Sequence, residues 1–234
     1  MAKALCGLIV VDKPVGLSSM DVVRRVRRAA SQGAGQRRVK TGHAGTLDPL
    51  ATGVVVCCLG SATRCVEQLM GLVKVYDAQI DLSAYTCTDD REGPREPVVV
   101  NTLPQRDVID RTCATFVGKI EQIPPRYSAV HVGGQRAYQL ARKGQRVAIA
   151  PRVVRIDAIM VLGYEWPLLD LRVTCGRGTY IRSLARDLGV ALGTGGHLAS
   201  LCRTAVGPYT IDQAQPIKRF EVPITAVDLL PVPA

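Results

Sequence analysis

The chain reads as an α+β protein with a mixed or antiparallel central sheet flanked by helices, and three observations lead there. Hydrophobic residues make up 47% of the sequence and aromatic ones only 4%, so its core must rest on Val, Leu, Ile and Ala, the material of a sheet covered by helices. Strand-like β-branched runs alternate with helical segments along most of the length. One stretch, 124 to 152, is rich in Pro, Gly and Arg and interrupts that alternation as a flap-like insertion. At 234 residues the chain is long enough to bury a sizeable core, and it is read as a single main domain over 1–234 that closes with a short tail over 212–234.

Taken in order, Gly7 to Lys13 is a β-branched strand ended by Pro14 and Gly16. Ser18 and Asp21 have the spacing of a capping box, and Val22, Val23, Val26, Ala29 and Ala30 recur at helical spacing. This predicts a helix with Arg24, Arg27 and Arg28 on exposed flanks, a candidate edge for phosphates. The segment from Gly42 to Gly53 is expected to be a loop entered without regular structure, followed by a strand over 54–59. A helical segment is expected over 62–70, and a long strand carrying Tyr76 over 73–82. Between Tyr85 and Asn101 the composition turns to Asp, Arg, Glu, Gly and Pro, which predicts a surface excursion. A helix follows near 107–117, and a short one near 137–143 inside the insertion. Two strands over 153–163 and 168–176 pair across a loop, a helix covers 180–192, and 201–211 is again a strand.

Charge and cysteine usage narrow the function classes. Thirty Lys and Arg against twenty Asp and Glu leave a net charge of +10, and clustering in Arg24, Arg25, Arg27 and Arg28 and again in Arg37, Arg38 and Lys40 favours a polyanionic partner. The eight cysteines form no C-x-x-C pair, so neither a zinc site nor a disulfide framework is expected. Met1 to Gly7 lacks a long apolar stretch, and no apolar run reaches about 18 residues, so the chain is expected to be cytoplasmic and away from membranes.

Asp48 precedes Pro49, which biases it away from helical backbone angles and lets its carboxylate project. Gly42, Gly45 and Gly53 allow tight turns around it, and His43 adds a polar group nearby. Alone, an Asp-Pro pair of this kind is ordinarily just a turn. A second cluster, Gly176 to Arg182, lies where a strand meets a helix and carries Tyr180 and Arg182.

Several motifs together resemble the TruB family of tRNA pseudouridine synthases: Asp12-Lys13-Pro14-x-Gly16-x-Ser18-Ser19, the Gly42 to Gly53 block, Lys74-x-Tyr76, Pro124-Pro125-x-Tyr127-Ser128-Ala129, Gly178-Thr179-Tyr180-Ile181-Arg182 and Leu201-x-Arg203-Thr204. They run in order over about residues 7 to 210. The resemblance implies the pseudouridine synthase fold and isomerisation of uridine 55 in the tRNA T loop, by base flipping and without cofactor or metal. It makes Asp48 the essential carboxylate and Arg182 its ion-pair partner. Tyr76 and Tyr180 line the base pocket, Leu201 is an apolar wall, and His43 fills the stack vacated by the flipped nucleotide.

The insertion would be an RNA-gripping thumb, with Arg126, Arg136, Arg142, Lys143 and Arg146 as phosphate contacts. His131 stands there where many members have Lys, and Arg177 replaces another common lysine. The residues after Ile211 do not make a full PUA domain, which points to a guide-independent enzyme acting on the tRNA T stem-loop without an obligate protein partner. Two other classes compete: a non-catalytic RNA-binding or RNA-folding module on the same fold, and a small-molecule hydrolase using Asp48 with His43.

Overall fold

A β-branched run that a proline ends, followed by a capping box, sets the start of the architecture. In the computed structural model, which describes residues 5–144 and 148–232 apart from the side chain of Arg142, the first strand β1 covers Gly7–Lys13 and helix α1 covers Ser19–Gly33. Ser18 caps α1 by accepting from the Asp21 backbone N–H while the Asp21 carboxylate accepts from the Ser18 backbone N–H at 3.0 Å. The helix buries the five apolar residues that its spacing predicts, Val22, Val23, Val26, Ala29 and Ala30. Each of the three valines contributes roughly 1.5 kcal/mol or more by leaving water.

There follow β2 (Thr41–His43), β3 (Thr52–Leu59), a 3-10 turn running into α2 (Val66–Gly71), β4 (Lys74–Asp81), β5 (Ala84–Thr86) and β6 (Arg95–Pro97). Next come α3 (Arg106–Thr115), β7 (Gly118–Gln122), β8 (His131–Val132), β9 (Gln135–Arg136) and α4 (Ala137–Arg142). The chain continues through β10 (Arg152–Glu165), β11 (Leu168–Cys175), α5 (Ile181–Leu192), β12 (His197–Val206), β13 (Tyr209–Thr210) and β14 (Gln215–Pro216).

The chain forms two compact units, Met1–Val75 with Cys202–Ala234, and Tyr76–Leu201. In the first, β1 pairs with β14 in parallel and with β3 antiparallel, and β12 adds to β3 in parallel through Cys202 and Arg203, so the sheet is mixed as expected. One face carries a core of Leu8, Val10, Val54, Val56, Leu69 and Val206 with their neighbours. In the second unit, β10 pairs antiparallel with both β11 and β7.

Four features depart from the sequence reading. The approach to the Asp48 loop is not irregular: β2 pairs with β3, placing His43 opposite Cys57. The segment read as a surface excursion holds the β5–β6 hairpin and buries Thr86 and Asp90, the Asp90 carboxylate facing the Arg182 guanidinium. Strand β7 was not foreseen, since its only strongly apolar residue is Ile120, and pairing with β10 supplies the order that its composition does not. The tail is packed: Leu230 bridges Leu8, and Phe220 and Ile224 are buried. The insertion at 124 to 152 contains the β8–β9 hairpin and α4, and Arg146 lies outside the described residues.

All eight cysteines are free thiols, and no helix among the described residues is long and apolar enough to cross a membrane. In the second unit, α5 approaches a turn of backbone so closely that a Cβ on Gly189 would lie 2.3 Å from the Gly195 carbonyl oxygen. Alanine favours a helix over glycine by about 1 kcal/mol, but overpacking against rigid backbone costs about 1–3 kcal/mol. Gly189→Ala is therefore expected to lower the unfolding free energy in urea, whereas Gly71→Ala, with nothing near its added Cβ, leaves it unchanged or raises it slightly. Equal behaviour of the two variants would refute the close-packing account.

Candidate active site

In the first unit the loop between β2 and β3 carries Asp48, and its form is dictated by where its backbone carbonyls go. Arg203 on β12 is only 1% exposed, and its guanidinium donates to the carbonyl oxygens of Val54 at 2.7 Å and of Gly45 and Thr46 at 3.2 Å each. Lys13 at the end of β1 is fully buried, and its ammonium donates to the carbonyls of Pro14 at 2.9 Å, Leu17 at 2.8 Å and Pro49 at 3.4 Å. Ser19, the first residue of α1, accepts from the Leu47 backbone N–H at 2.7 Å. The Ala51 N–H closes a turn onto the Asp48 carbonyl at 3.1 Å, and Gly16 N–H donates to Pro49 at 2.7 Å.

Gly53 is required by this packing: at φ +102° its Cβ would meet the Arg203 carbonyl oxygen at 2.3 Å. Asp48 itself is half-buried, beside two buried cations. Burial pushes the Lys13 ammonium down to about 8, opposed by the charge of Asp48 and assisted by that of Arg203. The half-buried His43 is likewise pushed down by burial, opposed by a hydrogen bond with the Gly45 backbone and assisted by the charge of Arg203, which favours its uncharged ring.

In the second unit, Arg182 lies in the first turn of α5 and is 6% exposed. Its guanidinium faces the Asp90 carboxylate at 3.4 Å and donates to the carbonyls of Thr88 at 3.3 Å and Tyr127 at 3.2 Å. Asp90, 2% exposed, also accepts from the Thr88 hydroxyl and the Glu92 N–H, which fixes its direction. The sequence reading placed Asp90 in an exposed excursion and so missed it; the signal was a run of turn-forming residues, which does not reveal burial.

Strand β7 orients the start of α5. Gln122 accepts from the Tyr180 backbone N–H at 2.8 Å, and the Ile123 carbonyl accepts from Ser183 at 2.8 Å and Arg186 at 3.0 Å. Tyr180 is the N-cap of α5 and half-buried, Tyr76 on β4 is buried, and Leu201 lies on β12, also buried. The first unit thus gathers Asp48 and His43 around Lys13 and Arg203, and the second gathers Tyr180 and Arg182 around Asp90, Gln122 and Tyr127.

Of the thumb residues, Arg126, Arg136 and Lys143 are exposed, and Arg142 ends α4. His131 stands opposite Arg136 in the β8–β9 hairpin. Among the described residues, no three His, Cys, Asp or Glu side chains are placed to hold a metal.

Lys13 gives a test with a defined sign. Because its folded-state value is depressed to about 8 from 10.5, the unfolded chain binds more protons at this residue between those pH values, and its contribution to stability rises with pH across that window. The difference in unfolding free energy between the parent and Lys13→Met is expected to grow from pH 8 towards pH 10. A difference that stays flat would show that Lys13 is not desolvated.

Comparison with known proteins follows the same outline. A family model described as the TruB family pseudouridylate synthase N-terminal domain matches residues 32–181, and one described as the tRNA pseudouridylate synthase B C-terminal domain matches residues 182–222. The chain is 47% identical over 234 residues to tRNA pseudouridine synthase B of Thermobifida fusca, covering 95% of this chain and 77% of that protein. It is 44% identical over 209 residues to tRNA pseudouridine synthase B of Bacteroides fragilis, covering 89% and 90%.

Among solved structures it is similar to a chain in a crystal structure of a Cbf5-Nop10-Gar1 complex, with a TM-score of 0.68 and 31% identity over 91% of this chain. It spans 52% of that chain, about half its length. On the family model over residues 32–181 and a relative 47% identical over 95% of this chain, the chain belongs to the TruB family of pseudouridylate synthases.

Proposed function

We propose that this chain is a tRNA pseudouridine synthase that isomerises uridine 55 in the T loop, with Asp48 as the catalytic carboxylate. The observation that carries the reading is the Asp48 loop, a half-buried carboxylate on a backbone whose carbonyls are bound by the buried cations Lys13 and Arg203. Such a setting holds the carboxylate in one place beside fixed positive charge, which suits a nucleophile or a stabiliser of positive charge on the sugar. The names of the relatives, tRNA pseudouridine synthase B, support the substrate class.

In this reaction the bond between N1 of uracil and C1′ of ribose breaks, the base turns, a bond between C5 and C1′ forms as the C5 proton leaves, and N1 takes up a proton. The chemistry requires no cofactor or metal. The target uridine must first leave the RNA stack, since C1′ cannot be reached within it. Tyr76 and Tyr180 are proposed to hold the extruded base, Leu201 to wall its pocket, and the neutral ring of His43 to occupy the vacated stack. Arg182 is proposed as the ion-pair partner of Asp48.

Residues 124 to 152 are proposed as the thumb, in which the exposed Arg126, Arg136 and Lys143, together with Arg142, contact phosphates. The relatives named here come from bacteria, and we place the activity in the cytoplasm, on tRNA and without an obligate protein partner.

The test is tritium release from a T stem-loop RNA carrying 5-tritiated uridine. The parent is expected to release the label, and Asp48→Asn to reduce the single-turnover rate by at least ~10⁴-fold, the scale of losing an essential group, with RNA affinity within ~3-fold of the parent. Turnover retained by Asp48→Asn would sink the assignment. Binding without release by the parent would mark a non-catalytic RNA module, and liberation of free uracil a hydrolase.

A further inference from the structure

The sequence contains no acidic residue between Asp21 and Asp48, yet that interval holds Arg24, Arg25, Arg27, Arg28, Arg37, Arg38 and Lys40. The fold converts this run into a concave surface. After α1 ends, the chain turns back: the Gln36 N–H donates to the Ser31 carbonyl at 3.0 Å, and the Val39 N–H donates to the Ser31 hydroxyl at 3.0 Å. Buried Val39 anchors the returning strand of chain. Arg37 and Arg38 are thereby set beside the helix arginines in a groove of about 610 Å³ lined by Arg24, Arg27, Arg28, Arg37 and Arg38 with Ser31 and two glutamines. Arg24 is paired with Asp21, whereas among the described residues Arg27, Arg28, Arg37 and Arg38 have no ion-pair partner.

Charge of one sign gathered in a concavity repels itself and concentrates anions, and it is stabilised when an anionic ligand enters. Guanidinium groups at several depths and angles suit a row of phosphate oxygens better than a single carboxylate. The groove is also at a defined place relative to the carboxylate of the proposed reaction. Ser19, which holds the backbone beside Asp48, starts the helix, and Arg27 and Arg28 lie eight and nine residues further on, about 12–14 Å along its axis at ~1.5 Å per residue.

We propose that this groove is a second RNA contact, outside residues 124 to 152, that binds consecutive phosphates of the backbone flanking the target nucleotide. The proposal rests on the RNA reading above. The groove positions the RNA and does not touch the reacting atoms, so it contributes affinity and leaves the chemical step alone.

The measurement is the affinity of the full chain for a T stem-loop RNA as a function of salt, for the parent, for Arg28→Gln/Arg37→Gln, and for Arg106→Gln/Arg111→Gln. The last pair removes the same charge from the exposed face of α3, where both arginines are paired with carboxylates. Loss of the two groove contacts should make the slope of log K against log salt shallower by about two and weaken binding roughly 10-fold at low salt. The single-turnover rate at saturating RNA should be unchanged, and Arg28→Lys/Arg37→Lys should keep the parent slope.

An unchanged slope in the groove variant overturns the proposal and assigns the groove to another kind of partner, such as an acidic protein surface. An equal change in the α3 variant also overturns it, because net charge alone would then account for the effect. Binding is read without turnover, so these outcomes are separate from the fate of Asp48 as the catalytic residue.

Discussion

The fold around Asp48 depends on a single constraint: carbonyl groups of a tight loop must find donors where water cannot reach. Arg203 and Lys13 supply them, and each is buried with its charged end surrounded by backbone oxygens. Burying a cation is costly unless its donors are used, and here the cost is offset because carbonyls that would otherwise be orphaned accept the bonds. The same arrangement explains residues that seem unrelated. Gly53 lacks a side chain because the Arg203 backbone occupies its place, and Pro49 keeps its carbonyl open to both Gly16 and Lys13. Two buried positive charges close to the Asp48 loop are the by-product of satisfying its carbonyls.

The second unit uses the same device for another purpose. Arg182 and Arg186, one turn apart on α5, reach the turn at residues 88–90 and the carbonyls of Tyr127 and Ile123. Asp89 sits at φ +60°, a left-handed conformation that aspartate tolerates better than most side chains, and this turn presents Asp89 to Arg186 and Asp90 to Arg182. Burial raises the Asp89 carboxyl, with both arginines pulling the other way. The first turn of α5 is thus held by a hairpin and a strand far from it in sequence, and Tyr180 is placed by a glutamine whose importance no local pattern announces.

Arginine therefore plays two roles that composition cannot separate. Arg182 and Arg203 are almost wholly buried and donate to the protein's own backbone, whereas Arg28, Arg37 and Arg38 are exposed and Arg27 is partly so. A net charge of +10 counts both alike.

The sequence by itself determined the helices and the long strands, because capping residues, β-branched runs and glycine–proline turns act over a few neighbours, whereas Asp48 stood out only through likeness to a family. Its motifs also named Tyr76, Tyr180, Arg182 and Leu201 through likeness to a family, with no geometry attached. Tertiary structure alone decided that Asp90 is buried against Arg182, that Gln122 on an unremarkable strand holds Tyr180, and that residues 215 and 216 complete a sheet edge. It also decided that Arg203, some 155 residues from Asp48, secures the Asp48 loop. The reason is physical: a polar group's worth depends on the donor or acceptor that folding brings to it, and those partners come from anywhere in the chain.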